Sequence, residues 1–177
     1  MGFVKLEKNL IDIIKEEQAK LGYFKEDIHL YYPLSSLNHF FCSDDTADEM
    51  QIRLSLLPKS ITDKLGNIQV THKGERFCFH IPEQGIVYVH ENTSENEFIT
   101  KLISLVSQHD CSMNEIQKLF HTYSENIITE NISEDDFDLM IRFADNPDDT
   151  YYYCFKDEGC HIIYHRFLPE DYAEFGF

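Results

Sequence analysis

Leucine and isoleucine recur at helical spacing from the start of the chain. Phe3, Leu6, Leu10, Ile13, Ile14 and Leu21 follow a 3.6-residue repeat, with Lys and Glu mixed on the opposite side. This predicts an amphipathic helix over residues 3–21, ended by Gly22 in a left-handed cap. An extended piece at 28–32 follows, and Pro33 is placed to start a helical turn through Leu34, Leu37, Phe40 and Phe41. Beyond an acidic loop at 42–48, residues 49–65 predict a helical stretch that Pro58 interrupts, because proline has no amide hydrogen to donate.

The period then shortens to two. With a two-residue turn at Lys73-Gly74 and a four-residue turn over 82–85, residues 68–91 predict three strands. Ile68, Val70, Phe77, Phe79, Ile81, Ile86 and Tyr88 then share one face. The reverse face (Gln69, Thr71, Arg76, Cys78, His80, Val87, Val89) is less polar than a solvated face, which leaves it for a helix or a partner to cover. Two helices follow, each opened by a capping-box pattern, Ser94 with Glu97 and Ser112 with Glu115. Their apolar faces hold Phe98, Leu102 and Leu105, then Ile116, Leu119, Phe120 and Tyr123, and the short linker near Asp110 predicts an antiparallel pair. Alternation returns beyond Ser124, where Phe137, Leu139, Ile141 and Phe143 interleave with Asp136, Asp138, Met140 and Arg142 as in a half-buried strand. Residues 151–155 and 160–167 predict a hairpin closed by Asp157-Glu158-Gly159, and residues 169–175 a short terminal helix. This order predicts an α+β fold: two antiparallel β-meanders with N-terminal and central helices, in a single compact domain over 1–177, with any lobe seam near 91–94.

Composition makes a folded chain out of an acidic one. Of 177 residues 42% are apolar, and 14 Phe and 10 Tyr give enough buried surface to offset the ordering entropy. The charge is uneven: residues 1–90 carry 10 Lys+Arg against 13 Asp+Glu, whereas residues 91–177 carry 5 against 19, a net of −14. Such a potential repels phosphate backbones and anionic headgroups and steers basic partners inward. Direct binding of nucleic acid or membrane is therefore not expected, and a basic protein partner is. No apolar run near the N-terminus reaches the length of a secretion signal or a membrane span, so a cytoplasmic location is expected. The five cysteines are odd in number and contain no C-x-x-C pair, as suits reduced thiols better than a disulfide framework or zinc knuckle.

Three stretches, EKNLIDIIKEEQAKLGY (7–23), LYYPLSSLNHFF (30–41) and YYYCFKDEGCHIIYHRFLPEDY (151–172), resemble those of an uncharacterised bacterial family known as a domain of unknown function. The resemblance implies one domain over nearly the whole chain and a bacterial cytoplasmic setting. It implies no activity, ligand or catalytic residue.

Candidate chemistry is sparse. The seven glycines form no phosphate-binding loop, and there is no G-x-S-x-G or H-E-x-x-H. Cys154, Cys160, His161 and His165 suggest zinc, but a strand would hold the α-carbons of His161 and His165 roughly 13 Å apart. Half-buried hairpin side chains are the better account, so no metal site and no cofactor is expected. The carboxylate runs Asp44, Asp45, Asp48, Glu49; Glu134, Asp135, Asp136, Asp138; and Asp145, Asp148, Asp149 lack the glycine and terminal Glu of an EF-hand loop and read as solvated charge. Tyr32, Asn38, His39, His165 and Arg166 are the candidates for a ligand pocket.

The reading that results is a non-enzymatic binding protein whose acidic C-terminal half recognises a basic protein. Glu134, Asp135, Asp136, Asp138, Asp145, Asp148 and Asp149 are its contact residues. One alternative is a small-molecule binder or enzyme with the five-residue pocket between the two meanders. Another is a homo-oligomer joined through Cys78, Val87 and Val89.

Overall fold

Prolines fix the start of three helices. Pro33, Pro58 and Pro82 each occupy an N-cap with φ between −61° and −71° and an extended ψ, and none adds a side-chain cap bond. The computed structural model describes residues 2–134 and 136–174. The fold is α+β with two antiparallel sheets. The chain divides into two compact units, Met1–Asn96 and Glu97–Phe177. Among the described residues no helix is long and apolar enough to cross a membrane.

Unit 1 contains α1 (Gly2–Leu21), β1 (Ile28–Pro33), α2 (Leu34–Phe41), α3 (Ala47–Leu54), α4 (Lys59–Leu65), β2 (Gln69–Lys73), β3 (Arg76–Ile81) and α5 (Glu83–Asn92). Leu6, Leu10 and Ile14 are fully buried, the i, i+4, i+8 stripe expected of α1. Gly22 ends that helix at φ +84°, its amide bonded to the Gln18 carbonyl. Thr46 and Glu49 form a capping box at the start of α3, a T-x-x-E pattern that the acidic-loop reading passed over.

The sheet of unit 1 has the order β1-β3-β2, with Leu30 opposite Phe79 and Val70 opposite Phe79 on the other side. Leu30, Tyr32, Phe77, Phe79 and Ile81 face its core. The hairpin turn is Gly74-Glu75, one residue later than expected, with Gly74 at φ +60°. That shift moves the pairing by two residues and so keeps every side chain on its expected face.

Residues 83–92 overturn the three-strand expectation. They form α5, and the third strand is β1. Ile86 and Val89 are buried from this helix, so the oligomer face drawn through Cys78, Val87 and Val89 does not exist: Cys78 lies on β3, and Val87 and Val89 lie on α5. The physical reason is a cap from far away in sequence. The Asp27 carboxylate accepts from the Glu83 amide at 2.8 Å and from His80 Nε2 at 2.9 Å, occupying an otherwise unbonded amide of the first turn. Gly85 lets α5 approach α4 closely, since a Cβ there would lie 2.8 Å from the Leu65 carbonyl oxygen and 2.8 Å from Ile81 Cγ2.

Unit 2 contains α6 (Glu97–Val106), α7 (Met113–Tyr123), β4 (Ile127–Glu134), β5 (Phe137–Phe143), β6 (Tyr152–Asp157), β7 (Ile162–Phe167) and α8 (Pro169–Glu174). Its sheet is a meander in sequence order, β4-β5-β6-β7. The capping box at Ser112 and Glu115 forms as expected. The one at Ser94 does not open α6, which begins at Glu97, whose carboxylate bonds Lys101 at 2.6 Å instead. Phe98, Phe120, Phe143 and Tyr153 pack edge to face or tilted in one cluster. The opposite sheet face is also covered: Met140, Cys154, Phe167 and Tyr172 form a second, smaller core. Met140 therefore departs from the half-buried alternation. Asp157 pairs with Ile162, so the β6–β7 turn is 158–161, one residue longer than expected. Phe175, the expected end of the terminal helix, lies outside the described residues.

Gly85→Ala tests the α4–α5 approach. The alanine gains about 1 kcal/mol of helix propensity but meets two contacts under 3.0 Å, a clash in the upper part of the overpacking range at about 2–3 kcal/mol, so a net loss of roughly 1–2 kcal/mol is expected in urea unfolding. An equal or higher midpoint would show that the two helices have room to separate.

Candidate recognition surface

Unit 2 carries 5 Lys+Arg against 17 Asp+Glu, a net of −12, within the whole-chain −17. Most of its cations are already engaged. Lys101 bonds Glu97 and Lys156 Nζ bonds Asp138 at 3.1 Å. The Arg142 guanidinium lies over the Tyr152 ring at 5.3 Å, and that of Arg166, 8% exposed, lies over Tyr151 at 4.2 Å.

The carboxylates divide into two groups. Asp138 accepts from the Asp157 amide at 2.8 Å as well as from Lys156, joining β5 to the end of β6. Asp145 accepts from Ser124 Oγ and Asn126 Nδ2, both at 2.9 Å, and so fixes the entry to β4. Asp149 accepts the buried Tyr153 hydroxyl at 2.7 Å and the Tyr151 amide at 3.3 Å. Asp148 is exposed in the same loop, where its backbone amide donates to Asn146 Oδ1. Asp138, Asp145 and Asp149 brace turns. Backbone and Lys156 donors hold the Asp138 carboxyl below the ordinary aspartate range, and Asn126 and Ser124 do the same for Asp145.

Asp136 belongs to the other group, exposed at the β4–β5 turn. The Glu134 side chain and Asp135 lie outside the described residues. Glu125, Glu130 and Glu158 are also exposed and were not singled out from the sequence. One signal points to Glu125 and Glu130: between Lys118 and Arg142 the chain has six carboxylates and no Lys or Arg.

The five pocket candidates are distributed among separate local tasks. Tyr32, buried in unit 1, donates its hydroxyl to Asn9 Oδ1 at 2.6 Å. Asn38 wires the loop after α2, accepting from Ser43 Oγ and the Asp45 amide and donating to the Asp45 carbonyl. His39 is exposed in the last turn of α2. In unit 2, His165 and Arg166 are neighbours on β7 and so project to opposite faces of the sheet. His165 stands exposed beside Phe167, while Arg166 is buried against Tyr151.

The four zinc-like residues also separate. Cys154 is fully buried opposite His165, and burial raises its thiol to about 12. Cys160 and His161 lie in the exposed β6–β7 turn, with Sγ 3.2 Å from His161 Nδ1. Among the described residues no group of three or more His, Cys, Asp or Glu side chains is arranged to hold a metal ion. In unit 1, Asp45 is paired with Arg53 at 2.7 Å and Glu49 completes the α3 capping box.

Residues 3–176 match the model of the family described as "Domain of unknown function, E. rectale Gene description (DUF3877)". The chain belongs to this family. No curated protein and no solved structure matches it. The family description assigns no chemistry, so the reading of the surface rests on its geometry and charge.

Acid titration tests the bracing role of Asp138 and Asp145. Asp138 and Asp145 have folded-state pKa values below the unfolded value of about 3.9. They therefore add stability above that pH, and the contribution is lost as pH falls through the lower folded values. The thermal midpoint is expected to drop on acidification below about pH 4, and Asp145→Asn to flatten that drop. An acid limb equal in the wild type and the Asp145→Asn variant would contradict the bracing role.

Proposed function

We propose that this is a non-enzymatic binding protein of the bacterial cytoplasm that recognises a basic protein through the acidic surface of unit 2. The observation that carries the reading is the imbalance of 17 carboxylates against 5 cations in a folded unit where two lysines are ion-paired and both arginines lie against tyrosine rings. The surplus negative charge has no internal counterpart of similar size. In a folded unit of this size it produces an attractive field for a cationic surface and a repulsive one for phosphate. Affinity built on such a field falls with salt as the Debye length shortens to about 8 Å at physiological ionic strength.

A nuclease or another nucleic-acid-binding protein is one concrete form of basic partner, since its own substrate site is cationic. The contact residues of the proposal are Asp136 with Glu125, Glu130 and Glu158. Asp138, Asp145 and Asp149 act indirectly by holding the turns that present them.

The test is salt-graded affinity purification from host lysate with the wild type and with a Glu125→Gln, Glu130→Gln, Asp136→Asn, Glu158→Gln variant. A basic protein held by the wild type at low salt, released as salt approaches physiological strength and depleted on the variant, is expected. Recovery of no basic protein at low salt, or equal recovery on both columns, would overturn the reading.

A further inference from the structure

Among the described residues, none pairs through its backbone with the outer edge of β4. The Ala144 amide donates to the Asn126 carbonyl at 2.9 Å, which marks 126 and 144 as a hydrogen-bonded pair of the antiparallel ladder. Alternation along the register then makes 128 with 142 and 130 with 140 the next bonded pairs. The amides and carbonyls of Ile127, Thr129 and Asn131 therefore point away from β5, and β4 ends the sheet. No described strand pairs with that side. Residues 128–131 are all exposed, without the in-and-out alternation of an interior strand. A register shift between Asn131 and Glu134 bulges the strand, so the regular stretch available for pairing is 127–131.

The two edges of this sheet differ in charge. β4 carries Glu130 in the cation-free run between Lys118 and Arg142. The opposite edge, β7, carries His165 and Arg166, with no carboxylate between Glu158 and Glu170. In unit 1 the edge strand β2 is closed off by Gln51, whose Nε2 donates to the Val70 carbonyl at 2.8 Å.

We infer that the basic partner binds by adding an extended Lys- or Arg-bearing segment to the β4 edge, bonding to the backbone of Ile127, Thr129 and Asn131 and setting a cation across from Glu130. The inference rests on the reading of unit 2 as a surface for basic proteins and assigns that surface a binding mode. Backbone bonds give the register, and the acidic run selects the charge of the strand. The bulge limits the added strand to about five residues, which suits a short extended segment better than an open-ended stack.

The probe is a fluorescein-labelled eight-residue peptide of alternating Lys and Val, followed by anisotropy at low salt, beside an analogue N-methylated on alternate amides so that one edge cannot donate. Binding of the first with at least a tenfold loss for the analogue is expected. Thr129→Pro removes an outward amide while leaving the β4–β5 bonds, and should lose about as much, whereas Thr129→Ala should not. The N-methylated peptide keeps the test valid if the proline variant fails to fold. Equal binding of both peptides overturns the edge mode but leaves the electrostatic reading standing. Binding of neither, together with an empty lysate column, removes both. A Thr129-dependent self-association seen by light scattering would make a second copy the occupant and would also overturn the inference.

Discussion

The ring of Phe120 meets those of Phe98, Phe143, Tyr153 and Phe155 at centroid distances between 4.8 and 6.2 Å, bringing together rings from α6, α7, β5 and β6. Edge-to-face pairs of this kind add about 0.5–1.5 kcal/mol each beyond burial. The cluster fixes the rest of unit 2. It draws both helices over the two central strands and leaves β4, which contributes no ring, at the margin. Tyr153 carries the constraint outward, because its hydroxyl in the core is bonded to Asp149 at the surface. Packing therefore sets where part of the acidic charge sits.

In unit 1, polar pairs tie the elements together beside the packing. Tyr32 and Asn9 are both buried and bonded to each other, joining β1 to α1. Gln18 bonds the Ile86 carbonyl, and Lys64 pairs with Glu7, so α1 is tied to α5 and α4 as well as packed against its neighbours. A bond between two buried polar side chains adds modestly to stability, but leaving one unsatisfied is costly, so each pair favours a single arrangement of its elements.

Much of this architecture was legible because it is local. The α1 stripe, the Pro58 break, the Ser112 box and the existence of β5 need only neighbouring residues. The two errors that most change the picture share a distant cause. Residues 86–89, Ile-Val-Tyr-Val, prefer a strand by their own side chains, and their helix depends on Asp27, 56 residues before Glu83. Asp138, Asp145 and Asp149 look like free charge until the fold supplies Lys156, Asn126 and Tyr153. The outward acidity of unit 2 was visible in the sequence. The division between bracing and outward carboxylates depends on contacts that composition does not contain.

The Asp27 cap also bears on the order in which unit 1 assembles. One carboxylate, just before β1, contacts His80 on β3 and the first amide of α5. That amide receives its acceptor only after β1 has reached β3, which closes a loop of some fifty residues. Until then the segment has β-leaning side chains and an uncapped first turn, with Pro82 as its local start signal. The first turn of α5 is thus completed by the sheet it packs against, and its loosening need not unravel the strands that precede it.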